Sequence, residues 1–359
     1  PAADALLAAY GPQVVLPALT AATPAFEALA DAATAWSASP TDDSARVAVA
    51  TAWQDAFLAW QHMELLQVGP AGSSLSVAGG ADLRDRVYSW PTVDRCGVDR
   101  QTVLGGWESA GFVDGLLVDR VGLAAIESLA LSPAGVHACA FSVDIARDGT
   151  WDALGVDAVQ TRRAAYAAAL AVSARDVLGE LVQAWSPAGG DFSGVLATPG
   201  PDNVVYDDRA EALDAVFRGM FYVETSVKEL KVGRPSGRLA CPAESCAGDA
   251  EAQLADASLP AIRANLVAFE AAYLGGDGPG FDDLLVDRGF ADVDDAMRLA
   301  VAGARAAADS ASVPMEDAAG DPGASALYDA LKGMTDLLKG DVATVLTLSV
   351  PSEAAGDND

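Results

Sequence analysis

The chain has 359 residues, 51% of them hydrophobic, enough for two domains of ordinary size and a substantial core. Its 51 acidic and 22 basic residues give a formal charge of -29. That surface repels nucleic-acid phosphates, so no nucleic-acid partner is expected; it suits cations, basic partners and solubility in salty water. No stretch reaches eighteen consecutive apolar residues, so no membrane-spanning helix is expected. The chain begins at Pro1 without Met, and a membrane link would run only through a removed leader or lipid-anchor segment, none of which is visible.

Helical signals dominate and strand-like alternation is rare. Helices are predicted over 13–36 and 43–67. The second follows Thr41, a favourable cap, and carries AWQDAFLAWQHMELLQVGP, where Glu64 stands among Met63, Leu65 and Leu66. A Gly- and Pro-rich break covers 69–80. After SWPTVDRC, with Trp90 and Pro91, come helices over 101–117 and 120–131. The latter holds RVGLAAIESLAL, whose one charge between Val121 and Leu131 is Glu127. An Ala-rich helix covers 152–186, and PAGGDFSGVLATPGPD over 187–202 is the best domain boundary. It would separate an N-terminal bundle, 1–190, containing the Trp-Pro loop and GLAAIE, from a C-terminal bundle, 203–359. The second half reads as helices over 207–231, 250–274, 291–310 and 323–348, with breaks at 233–248 and 275–280. Asp207 and Asp292 stand at two of the starts, and Glu224 lies within GMFYVETSVKEL.

LPALTAATPAFEA, Leu16 to Ala28, echoes LPAIRANLVAFEA, Leu259 to Ala271, at eight of thirteen positions. The separation of 243 residues is too long for a solenoid repeat. The expected fold is therefore all-α: two pseudo-symmetric antiparallel helical bundles from an internal duplication. A crevice between two bundles is a common place for a ligand.

Four cysteines, Cys96, Cys139, Cys241 and Cys246, contain no C-x-x-C pair, and only two His are present, so no structural zinc site is expected. Two disulfides are the simplest use, Cys241–Cys246 closing a short loop and Cys96–Cys139 a longer one. They would place the protein outside the cytoplasm; four buried thiols are the alternative. The chain lacks H-E-x-x-H, G-x-S-x-G, S-x-x-K, a Walker loop and a dinucleotide fingerprint. Neither His62 nor His137 has a recognisable catalytic neighbourhood. LGGDGPGFDD lacks EF-hand spacing and reads as an acidic turn. What remains is Glu64, Glu127 and Glu224 in apolar helices. A buried carboxylate needs a cation, an Arg or Lys, hydrogen bonds or a proton. Carboxylates converging from several helices build metal sites in bundles, whereas one at a helix edge simply meets solvent or an Arg.

Four of these segments, in this order, resemble the imelysin-like (M75 peptidase-like) proteins of bacterial envelopes. AWQDAFLAWQHMELLQVGP is similar to that family's helix with Trp, Glu and a closing Gly-Pro, and SWPTVDRCGVDRQTV to its Trp-Pro segment. GLAAIESLAL stands where the family carries G-x-H-x-x-E, and KELKVGRPSG resembles its Lys-to-Pro-Gly segment. SWPTVDRC with GLAAIE is most similar to a branch of predicted periplasmic lipoproteins. The resemblance implies two helical bundles with a site between them, an envelope location and a link to iron uptake. It carries Gly122 and Glu127 over, but Ala124 replaces the His. A His at 124 would share a face with Glu127 and join it around iron or zinc. Without it the expected ligands are Glu64 and Glu127 for a divalent cation (iron, calcium, magnesium or manganese), or a small molecule in a pocket lined by Gly122, Ala124, Trp90, Pro91 and Glu224. Two alternatives stand beside this reading. One is a metal-dependent peptidase. The other is a structural or partner-binding envelope protein, in which Glu127 pairs with Arg84, Arg86 or Arg120, or bonds to the Trp-Pro segment.

Overall fold

The computed structural model describes residues 2–241 and 245–355, so the middle of CPAESC and the last four residues of the chain lie outside the described residues. The described residues are helical and contain no strand; a single antiparallel bridge joins Tyr88 and Gly122. Ala2–Tyr10 continues through a π-helical turn, Gly11–Val15, into Leu16–Ala38. Asp43–Gln61, Arg95–Leu104, Gly122–Leu131 and Val156–Trp185 follow. The remainder holds Arg209–Met220, a π-helix over Val223–Gly233, Ser258–Leu274, Phe281–Asp287, Ala291–Ser310 and Pro322–Leu337.

Short side chains set several of these ends. Asp94 accepts the Gly97 amide and starts a helix that Gly105, at φ +79°, stops. The expected helix over 101–117 is thus displaced to Arg95–Leu104, and the following residues form turns with 3-10 segments at Val113–Gly115 and Val118–Arg120. The expected helix over 43–67 ends at Gln61. Asp208 and Asp321 cap later helices by accepting amides of their first turns.

The chain forms two compact units, and they are not consecutive stretches. The first takes the residues up to Ala21, Trp60–Asp82 and everything from Leu181; the second takes Ala22–Ala59 and Leu83–Glu180. This differs from a cut between 1–190 and 203–359, because Leu16–Ala38, Asp43–Gln61 and Val156–Trp185 each begin in one unit and end in the other. The Gly- and Pro-rich 187–202 segment belongs inside the first unit. Asp191 caps a short helix, Phe192–Ala197, and Phe192 packs edge-on to Trp185 and Tyr206.

Each unit has its own aromatic core. Tyr10, Trp185, Tyr206, Phe217 and Phe281 are buried in the first; Trp36, Trp53, Phe57, Trp151 and Tyr166 in the second. Both echoed segments are helical, and each buries its phenylalanine, Phe26 and Phe269. The first copy straddles the two units, while the second lies within one. Ala2–Ala38 is long and apolar enough to cross a membrane by length and composition, at a mean hydropathy of 1.4, contrary to the expectation from runs of apolar residues. Its Leu6, Leu7, Leu19, Phe26, Leu29 and Trp36 are already buried in the protein's own cores.

Both expected disulfides are present, Cys96–Cys139 and Cys241–Cys246, and no cysteine among the described residues is free. Cys96–Cys139 ties the start of Arg95–Leu104 to the loop after Leu131. A buried ion pair reinforces that join. Arg163 meets Asp99 at 3.2 Å and donates to the carbonyls of Pro133 and Val136, while the Ala138 amide donates to Asp99 at 2.7 Å. Burial pushes the Asp99 carboxyl up and the Arg163 guanidinium down from their ordinary ranges.

Candidate functional site

The second unit holds the G-x-x-x-x-E segment, and its geometry begins at Gly122. Gly122 has φ +70°, and a Cβ there would lie 2.3 Å from the Val87 carbonyl oxygen. Glycine is required both by the left-handed backbone and by the bridge to Tyr88. Trp53 Nε1 donates to the Leu123 carbonyl at 2.7 Å, and Trp53 stacks on Phe57, which meets Tyr88 edge-on. Tyr166 Oη donates to the Arg120 carbonyl at 2.6 Å. The start of Gly122–Leu131 is therefore clamped from several elements. On that helix Ala124 is buried and Glu127 is half-buried, keeping part of its surface in water.

Trp90 is buried and Pro91 exposed, joined by a cis peptide bond, and the Trp90 carbonyl accepts from Arg84 at 3.0 Å. Arg84 also pairs with Asp85 at 2.7 Å. Arg86 pairs with Glu180 at 3.1 Å and Asp114 at 3.7 Å, and Arg120 with Asp119 at 3.5 Å. His137 is half-buried in the disulfide-tied loop, edge-on to Trp151, with Nδ1 accepting the Cys139 amide. His62 is exposed while Glu64 is buried, so the two face different ways.

The first unit answers the other two carboxylates with its own side chains. The π-helix Val223–Gly233 places Glu224 and Lys228 together at 3.1 Å, both fully buried. Lys339, from a second π-helical turn at Leu338–Val342, reaches the same Glu224 oxygen at 2.6 Å. Glu64 accepts from Tyr222 Oη at 3.0 Å. Lys231 lies 5.4 Å from the centre of the Tyr222 ring and contacts Glu251 at 2.9 Å, Gln61 at 2.7 Å and Asn265 at 2.8 Å. Asn265 also donates to the Gln61 carbonyl at 2.8 Å, which holds the end of Asp43–Gln61. Glu224 thus meets Lys228 and Lys339, Glu251 meets Lys231, and Glu64 meets Tyr222, all within one low-dielectric core.

Glu64 and Glu224 accordingly sit in the first unit, each with one carboxylate oxygen bonded by Tyr222 or by Lys228 and Lys339, and Gly122, Ala124, Glu127, Trp90 and Pro91 sit in the second. Among the described residues no group of three or more His, Cys, Asp or Glu side chains is placed to hold a metal ion. Glu251 and Asn265 did not stand out in the sequence, and Lys228, Lys231 and Gln61 entered only within the segments GMFYVETSVKEL, KELKVGRPSG and AWQDAFLAWQHMELLQVGP, with no role of their own. The available signal was Glu224 and Lys228 at i and i+4 inside an apolar run, with Lys231 one turn on.

The sequence model of the imelysin family (peptidase M75) matches residues 15–338. Among curated proteins none matches this chain. Two solved structures share the fold. One, from Parabacteroides distasonis ATCC 8503, is described as a candidate iron-regulated protein A precursor; it is 16% identical, with a TM-score of 0.72 over 96% of this chain and 94% of that one. The other, an imelysin-like protein from Psychrobacter arcticus 273-4, is 19% identical, with a TM-score of 0.70 over 98% and 97%. A family match over nine-tenths of the chain, on an all-helical fold with these signature segments, settles its membership: the chain belongs to the imelysin family.

Proposed function

We propose that this imelysin is a bacterial-envelope binding protein, connected with iron acquisition, that holds a divalent cation or a small cationic group and does not cleave peptides. The carrying observation is the clamped Gly122–Leu131 helix, where the half-buried Glu127 follows a buried Ala124. Glu224 and Glu64 are fully buried among lysine and tyrosine side chains, whereas Glu127 keeps part of its surface in water, where a ligand can reach it. Ala124 supplies no imidazole, so the segment lacks the nitrogen donor of a peptidase-type zinc or iron centre. A carboxylate without an imidazole beside it favours hard cations such as calcium, magnesium or manganese, or ferrous iron with water completing the shell. The two disulfides suit an oxidising compartment, and a periplasmic or lipid-anchored location fits that chemistry.

Calorimetric titration of chelator-stripped protein with Mn²⁺, Ca²⁺ and Fe²⁺ tests the binding role. Saturable heat, weakened about tenfold or more in Glu127→Gln, is the expected result. No heat with any of the ions, or identical curves for the variant, contradicts it. Unfolded casein with Zn²⁺, Mn²⁺ or Fe²⁺ should remain intact, and cleavage that a chelator abolishes would restore the peptidase reading.

A further inference from the structure

A groove in the second unit offers a different ligand chemistry, and Glu127 does not line it. One wall is a stripe of the Val156–Trp185 helix, with Ala165, Ala168, Ala169, Val172 and Ser173 at helical spacing. Trp107 and Phe112 also line it, carried by the loop that Gly105, Gly106 and Gly111 turn at positive φ. Phe112 is fixed edge-on to Tyr166. The alanines are too short to fill the space, which leaves a cavity of about 560 Å³. Ordinary small-molecule sites measure roughly 300–1,000 Å³. A second cavity of about 350 Å³ adjoins it, sharing Arg86, Val113, Asp114 and Ser173 and walled by Leu116, Val118 and Val121.

The charges decide which head group fits. Asp114, Asp176 and Glu180 line the larger cavity, and Arg86 is its one basic lining residue among the described residues. Arg86 is already engaged by Glu180 and Asp114, and Asp176 pairs with Arg175 at 2.7 Å. An anion would therefore have to displace a carboxylate on a chain of charge -29, whereas a cation meets Asp114, whose contact with Arg86 is only 3.7 Å. Trp107 and Phe112 add aromatic rings, which attract cations. Flanking that loop, Leu104, Leu117 and Val118 are 75%, 62% and 41% exposed, and Val118 walls the adjoining cavity. Apolar side chains left in water beside a concave surface mark a binding site.

We propose that this groove binds a small amphipathic organic cation: an amine or quaternary ammonium head against Asp114, Trp107 and Phe112, with an aromatic or aliphatic body along the alanine stripe. Three probes with one body and different heads test it: 4-phenylbutylamine, 4-phenylbutanol and 4-phenylbutyrate, titrated calorimetrically into the intact protein at low salt. The amine should bind about tenfold more tightly than the alcohol, and the butyrate should give no saturation up to about 10 mM. Trp107→Ala and Asp114→Asn should each weaken the amine about fivefold or more. Ala168 is half-buried, so Ala168→Trp fills the groove and not the core; it should abolish binding while leaving the melting temperature unchanged. Glu127→Gln should bind the amine normally, which separates this site from the cation reading above. No saturable binding of the amine, equal binding of all three probes, or amine binding that survives Ala168→Trp overturns the proposal.

Discussion

Lys231→Met is the sharpest perturbation of the buried network. Lys231 Nζ meets Glu251, Gln61 and Asn265 at 2.9, 2.7 and 2.8 Å, and all four side chains are fully buried. Methionine keeps most of the volume and removes the charge. Glu251 then keeps the contact from Gln61 Nε2 at 3.3 Å but loses its lysine. Breaking a buried pair from one side costs about 3–5 kcal/mol, and Asn265 Oδ1, which loses the Lys231 donor, keeps the value at the upper end, while Gln61 Oε1 retains Asn265 Nδ2 at 3.0 Å. For a unit of this size about 1 kcal/mol moves the melting temperature by roughly 2–4 °C, so a fall of roughly 10–20 °C is expected by scanning calorimetry. A double-mutant cycle with Glu251→Gln separates charge from packing. The double variant should be more stable than the two single losses predict, by about 2 kcal/mol or more. A single loss below about 1 kcal/mol, or strict additivity, would show that the lysine is solvated in solution and refute the network as described.

Gly122→Ala should destabilise the second unit by about 3 kcal/mol. About 1–2 kcal/mol comes from forcing alanine into left-handed backbone, and the rest from a methyl group placed 2.3 Å from the Val87 carbonyl oxygen. Urea unfolding measures it, and a loss under about 1 kcal/mol would mean that the bridge to Tyr88 yields easily. Trp53→Phe should cost about 1 kcal/mol through the lost bond to the Leu123 carbonyl, read as a loosened Gly122–Leu131 helix in hydrogen exchange. The paired hydrogen bonds from Arg100 hold the Asp144 carboxyl below the usual carboxylate range. A lowered pKa stabilises the fold above the ordinary carboxylate value, and that contribution disappears as pH falls through it, below about pH 4. The melting-temperature difference between wild type and Asp144→Asn should therefore be present at neutral pH and vanish in acid; a difference that stays constant would contradict the pairing.

The helical class, both disulfide pairs and the family were legible in the sequence because they rest on local signals: periodicity, cysteine separation and ordered segments. Boundaries set by single residues were less so. Asp94 and Gly105 moved one helix to Arg95–Leu104, although both residues are strong punctuation. The 187–202 segment looked like a linker by composition, yet Phe192 anchors it in a core. No local pattern shows that long helices pass from one unit to the other. For the candidate site, the oddity of Glu64 and Glu224 in apolar helices was visible, but the partners were not. Tyr222 is 158 positions from Glu64, and Lys339 is 115 from Glu224. Such pairs depend on tertiary packing, and the π-helical turns that aim both lysines at Glu224 leave no periodic trace. Gly122 entered through the resemblance and as a pocket-lining residue, and the structure gives it a physical reason, positive φ against the Val87 carbonyl.

The central claim is that Glu127 serves a bound cation without an imidazole partner. Its most direct test is an anomalous difference map from crystals of the chelator-stripped protein soaked in Mn²⁺. The expected result is a peak within about 2.6 Å of a Glu127 carboxylate oxygen, with water completing the shell. A map with no peak at Glu127 and manganese only on surface aspartates would contradict it.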